Sequence, residues 1–229
     1  MREAYHDRLG ELADHLADMC AMVAEAMERA TTALLKTDLA LAEQVISDDL
    51  KVDKARTSYE EEAYALLALQ APVATDLRTV LAVIHAAESL ERMGDLALHV
   101  AKTARRRHPN PVLPEEVRPY FEQMGLVAVA LARKTEQVVR TQDVELAKSV
   151  ENDDDEMDNL HRELFTVLMD KNWPHSVAAA VDVTLLGRFY ERFADHAVSV
   201  AKRVVFLVTG EHADELQQDI QPVTGAEGA

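Results

Sequence analysis

Four pairs of carboxylates stand four residues apart in this chain: Asp49 with Asp53, Glu91 with Asp95, Asp154 with Asp158, and Glu191 with Asp195. On a helix, residues four apart share a face, one turn above the other. Like charges at that spacing repel, so each pair is a small local cost that a cation would offset. Oxygen-only donors suit magnesium, manganese, calcium or iron, whereas zinc usually adds nitrogen or sulfur. The ordinary alternative is that the acids lie on solvated faces, where most charged side chains stay. A single Asp-x-x-x-Asp carries no more weight than that.

Duplication changes the weighing. Residues 91–103 (ERMGDLALHVAKT) and 191–203 (ERFADHAVSVAKR) agree at seven of thirteen positions. Residues 36–53 and 141–158 agree at seven of eighteen, including Asp38 with Asp143, Asp48 with Asp153, Asp49 with Asp154 and Asp53 with Asp158. The offset falls from 105 to 100 between the blocks, which an even shortening of two antiparallel helices would produce without loss of register. The midpoint of 53 and 91 is Pro72, and the midpoint of 158 and 191 falls beside Pro174. A hairpin folded at each proline sets its two carboxylate pairs at one height, about 19 residues or roughly 28 Å from the turn. Equal height does not fix facing, because spacing leaves the rotation of each helix open. Gly94 in a helix interior points to close backbone packing, and Ala194 at the matching place indicates that smallness is what is needed.

The elements that must position these acids are helices. Apolar residues recur at three- and four-residue steps from 5 to 208, for example Leu9, Leu12, Leu16, Met19, Val23 and Met27. Breaks are few: Thr37-Asp38 and Thr141-Gln142-Asp143 offer caps, Pro72 and Pro174 suit first turns, and HPNPVLP at 108–114 holds three prolines. The reading is six helices, at roughly 3–36, 38–70, 73–107, 115–141, 143–171 and 175–209. The expected architecture is all-α: two tandem three-helix bundles, 1–107 and 115–210, related by a pseudo-twofold internal repeat. A proline-rich linker at 108–114 joins them, and 211–229 reads as a disordered tail.

Composition agrees with helices. The 229 residues are 48% hydrophobic but only 5% aromatic, with seven Gly and seven Pro. That length suffices for one sizeable core or two small ones. Lys and Arg number 24 against 41 Asp and Glu, a net charge of −17, which repels nucleic acid and suits cations or basic protein patches. Cys20 has no partner cysteine, so neither an internal disulfide nor a thiolate zinc site is open to it. No apolar run approaches the roughly 18 residues of a membrane span, and the start lacks an apolar signal core, so the expectation is a soluble, intracellular protein.

Other candidates carry less. KTARRRH at 102–108 reads as dipole complement at a helix C-terminus. His85, His99, His161 and His196 reach a metal only if they share a face with the acids, and His196 points about 100° from Asp195. His6 and His15 lack partner spacing, and Trp173 is expected to pack across a turn. No Gly-rich phosphate loop, HExxH or nucleophile motif occurs. A carboxylate-bridged di-iron oxidoreductase needs Glu-x-x-His from two helices, and the chain offers only EAYH at 3–6, with Asp158 and His161 as a weaker cousin.

LERMGDLALHVA (90–101) and GRFYERFADHAVSVAKRV (187–204), with DDLKVD (48–53) and DDEMD (154–158) upstream, resemble the PhoU family over about residues 5–210. The resemblance implies a non-enzymatic regulator of phosphate uptake, with a multinuclear metal site on each bundle. Asp49, Asp53, Glu91 and Asp95 match the first metal motif, and Asp154, Asp158, Glu191 and Asp195 the second. Iron or zinc is the first expectation for the metal, manganese or magnesium the next. The resemblance also implies a cytoplasmic homodimer that associates only peripherally with the membrane. Its implied partners are the phosphate ABC transporter and a sensor histidine kinase, whose signalling it represses. The chain departs from the family's frequent Ile-Gly inside the motif, with Met93-Gly94 and Phe193-Ala194, which leaves the carboxylates intact.

Overall fold

A computed structural model describes residues 2–211, with side chains described from Asp7 onward. Among these residues there are six helices and no strand: α1 (Arg2–Lys36), α2 (Leu39–Gln70), α3 (Thr75–Arg107), α4 (Arg118–Thr141), α5 (Val144–Leu168) and α6 (Val177–Thr209). The expected tail from 212 onward lies outside the described residues.

The duplicated aspartates cap equivalent helices. Asp38 accepts from Leu41 N at 3.0 Å, and Asp143 accepts from Glu145 N and Leu146 N at 2.9 and 3.0 Å. Each satisfies donors that a helix start leaves orphaned. The prolines do not open helices themselves. Ala71 and Ala74 both take positive φ around Pro72, so α3 begins at Thr75. At the other tip α5 stops at Leu168, Asp170 accepts from Asn172 N at 2.7 Å, and Ser176 caps α6 by accepting from Ala179 N at 3.2 Å. Likewise α4 starts at Arg118 and not 115, because Val117 N bonds the Pro114 carbonyl in a turn and Pro119 then takes the first helical turn.

Repeat-equivalent helices pack against each other. α1 lies antiparallel to α4: Arg140 donates to Asp18 near one end, and the Thr31 side chain fills the space over Gly125 near the other. α3 lies antiparallel to α6, since Arg106 and Arg107 reach Asp182 while Arg78 packs on Gly210. These two pairs generate the pseudo-twofold, with α2 and α5 flanking their own halves. One main buried cluster runs from Leu16 to Val205 through both halves, and a small second one gathers Leu12, Ala63, Leu66, Val80 and Val83 near the first tip. Val112 and Leu113 of the proline-rich connection are themselves packed into the main cluster.

Four polar ties cross or brace this core. Thr31 Oγ1 and the fully buried Tyr190 hydroxyl bond at 2.8 Å between the halves, and Leu90 stands at the equivalent place in the first half. Asp182, 5% exposed, accepts from Arg106 Nη2 and Arg107 Nε, each at 2.7 Å. Two of the arginines read from sequence as dipole partners therefore bridge α3 to α6. Arg29 Nη1 donates to Asp48 at 2.8 Å, and Lys134 pairs with Asp153 at the equivalent place, so these duplicated acids bind the outer helices to the central ones.

Candidate metal centres

The packing of α2 on α3, and of α5 on α6, brings each half's two carboxylate pairs within electrostatic reach of each other. Electrostatics registers the approach. Burial, then Asp53, Asp95 and Glu91, pushes Asp49 up from 3.8 to about 6, with Lys102 opposing. Burial, then Asp158, Asp195, Glu191 and Asp155, pushes Asp154 up from 3.8 to about 7. Glu91 is raised as well, chiefly by burial. All eight acids expected from the sequence are thus assembled as two groups of four.

Local sequence explains the approach. A Cβ on Gly94 would meet Val52 Cγ1 at 3.2 Å and Asp49 Oδ1 at 3.6 Å, so the small residue lets α2 come close enough to lay Asp49 over α3. Ala194, fully buried, fills that role in α6.

As they stand, the carboxylates lean on arginines. Arg92 Nη1 donates to Asp95 at 3.0 Å, Arg56 lies 4.0 Å from Glu91 Oε1, and Arg188 grips Glu191 from one turn before it. Among the described residues no group of three His, Cys, Asp or Glu side chains is arranged to hold a metal ion in these rotamers. The donor chemistry nonetheless fits one. Glu91 Oε2 is buried without a hydrogen bond, its contact with Arg92 Nε being an ion pair at 3.5 Å. His161 Nε2 is likewise buried without a hydrogen bond, on the helix face of Asp154 and Asp158. A cation held by Asp49, Asp53, Glu91 and Asp95 in the first half, or by Asp154, Asp158, Glu191 and Asp195 in the second, would need Glu91, Asp95 and Glu191 to turn from their arginines. Neutralising four crowded carboxylates is what it would supply.

The histidines divide. His161 feels Glu191, Asp158 and Asp195, although burial is the larger influence and lowers its pKa. His196 lies toward α3, near Arg92 and Glu88, as its angle from Asp195 requires. His99 stacks on Phe189 at 5.3 Å, and His85 is exposed. Glu3 and His6 lie outside the residues whose side chains are described. Sequence reading missed Asp182 and undervalued His161. The spacing Asp154, Asp158, His161 carries a signal for the second, while nothing near Asp182 announces partners 75 residues away.

The PhoU domain family model matches the chain twice, at residues 16–104 and 121–204. The chain is 58% identical over 215 residues to phosphate-specific transport system accessory protein PhoU homolog 1 of Mycobacterium leprae, covering 94% of this chain and 97% of that protein. It is 60% identical over 210 residues to PhoU homolog 2 of Mycobacterium tuberculosis, covering 92% and 99%. The crystal structure of the phosphate transport system regulatory protein PhoU from Streptococcus pneumoniae superposes with a TM-score of 0.80 at 25% identity, over 92% of this chain and 99% of that one. Two matched domains, relatives alike from end to end and a shared six-helix architecture place the chain in the PhoU family.

Proposed function

We propose that this protein is a metal-binding regulatory accessory of phosphate uptake that acts by docking and not by catalysis. It works as a cytoplasmic homodimer that visits the membrane peripherally. Its partners are the cytoplasmic side of the phosphate ABC transporter and a sensor histidine kinase, whose output it lowers when phosphate is plentiful. Supporting the setting, relatives at 58% and 60% identity are named accessory proteins of phosphate-specific transport, and among the described residues no helix is long and apolar enough to cross a membrane. The observation that carries the metal reading is the assembly of eight duplicated carboxylates into two facing groups, at the cost of raised pKa values for Asp49 and Asp154. The net charge of −17 favours basic docking patches and makes association sensitive to salt.

No observation favours the di-iron oxidoreductase. Its Glu-x-x-His motif would be required from two helices, and the first half has Arg56 at the register of His161.

Two measurements test the proposal. Replacing Asp49, Asp53, Glu91 and Asp95 together by Asn or Gln should remove roughly half of the bound metal, because the second group stays intact; unchanged metal content would overturn the ligand assignment. Deleting the gene in a strain without a paralogue should switch on phosphate-starvation genes in phosphate-rich medium, and unchanged expression would overturn the regulatory role.

A further inference from the structure

The two carboxylate groups are copies in their acids but not in their surroundings. On α5, Asp154, Asp158 and His161 follow one another at four and three residues, so all three lie along one helix face. The imidazole Nε2 is buried and has no hydrogen-bond partner. It faces α6 at Gly187, one turn before Glu191: a Cβ there would stand 3.6 Å from Nε2 and 3.2 Å from Cδ2. The glycine leaves room for the ring. In the first half Ala87 stands at that place, and Arg56 at the place of His161. Arg56 donates to Glu60 at 3.0 Å and lies 4.0 Å from Glu91. At this one position the first half places a guanidinium and the second an imidazole nitrogen without a hydrogen-bond partner.

We infer that His161 is a nitrogen donor that makes the second centre a mixed nitrogen–oxygen site, while the first is oxygen-only, so the two centres take different metals. Imidazole suits zinc, copper, iron and nickel, and carboxylate with water suits magnesium, calcium and manganese. The second centre therefore selects the borderline metals. The first binds hard cations. This inference rests on the metal-binding reading above, but fails separately from it.

The test uses the full chain, stripped by chelator and reloaded with cobalt(II) or manganese(II). Metal content is counted, cobalt absorption is recorded, and nitrogen coordination is read from the hyperfine structure of copper(II)-loaded protein. The expected result is one imidazole signature per chain. His161→Gln abolishes it and lowers cobalt affinity at one of the two centres by roughly tenfold or more, as loss of a donor must exceed the 10–100-fold typical of outer contacts. Manganese binding at the first centre stays unchanged. Arg56→His combined with Ala87→Gly should add a second nitrogen signature, an expected gain that loss of folding cannot mimic. Removing Asp154, Asp158, Glu191 and Asp195 together should also erase the original one. Metal bound at both centres with no nitrogen signature, or a signature that survives His161→Gln, overturns the inference while leaving the metal reading intact. Absence of metal from both halves overturns both, and His161 is then a packing residue against Phe165.

Discussion

The first carboxylate group is drier than the second. Asp49, Asp53, Glu91 and Asp95 are all half-buried, whereas Asp158 and Asp195 are exposed beside a half-buried Asp154 and Glu191. Yet the carboxyl pushed furthest is Asp154, at about 7 against about 6 for Asp49. Burial is the largest influence on both carboxyls, and their neighbours differ as well. Lys102 relieves Asp49, whereas its counterpart Lys202 pairs with Glu151 at 2.9 Å. What survives duplication is therefore the charge constellation, together with the caps at Asp38 and Asp143 and the braces at Arg29–Asp48 and Lys134–Asp153. The shell that sets the field around each constellation has drifted.

That contrast can be broken most forcefully at Asp182, which has only Ala82 as its counterpart. Asp182→Ala removes two charge-assisted bonds that tie α3 to α6 at one end. Because Arg106 and Arg107 are about half exposed and can rehydrate, the expected loss is about 2 kcal/mol, below that for a fully buried pair. A urea midpoint that does not move would show the two ends of the α3–α6 contact to be energetically alike.

A smaller effect separates the glycines. At Gly94 an added Cβ meets Val52 at 3.2 Å, a contact a few tenths of an ångström of adjustment can absorb, and helix propensity gains about 1 kcal/mol. Gly94→Ala should leave stability within about 0.5 kcal/mol of the parent. At Gly187 the Cβ meets the buried Leu164 at 2.9 Å and crowds His161, so Gly187→Ala should cost about 1 kcal/mol net despite the same propensity gain. Thermal unfolding of the two variants side by side decides it, and equal shifts would remove the distinction between the two interfaces.

The smallest effect is a slope against pH. An acid whose folded pKa is raised holds its proton more tightly when folded, so it destabilises the fold once ionised. Chelated protein should therefore lose stability as pH rises from 3.8, through about 6 for Asp49 and about 7 for Asp154, and level off above. Asp154→Asn should flatten the stretch between about 6 and about 7 and also lessen the slope from 3.8 upward, leaving there only the share due to Asp49. A slope identical to the parent's would show that folding does not raise the Asp154 carboxyl.

The sequence made the six helices, the repeat and the eight acids legible, because helical period, caps and duplicated motifs are local. Helix starts slipped by two or three residues where prolines stood. Pro72 sits between two alanines at positive φ and not in the first turn, and Pro114 closes a turn before α4. Facing of the carboxylates was not legible, since it depends on how α2 rolls on α3, which Val52 against Gly94 decides. The Asp182 tie was hidden for the same reason: its arginines look like ordinary C-terminal charges until α6 is laid beside them. His161 was visible only as a spacing, and its orphaned nitrogen required the coordinates.

The contact of α1 with α4, and of α3 with α6, is a contact between sibling surfaces. Each half offers the other the same pair of faces that it receives. A half-length chain bearing those faces would close into an isologous dimer, in which every substitution is made twice. Fusion through the connection at 108–114 turns that association into an intramolecular one, no longer governed by concentration. It also releases each half from its twin. A tyrosine where the sibling keeps leucine, or a histidine where it keeps arginine, is a difference that only a fused chain can inherit.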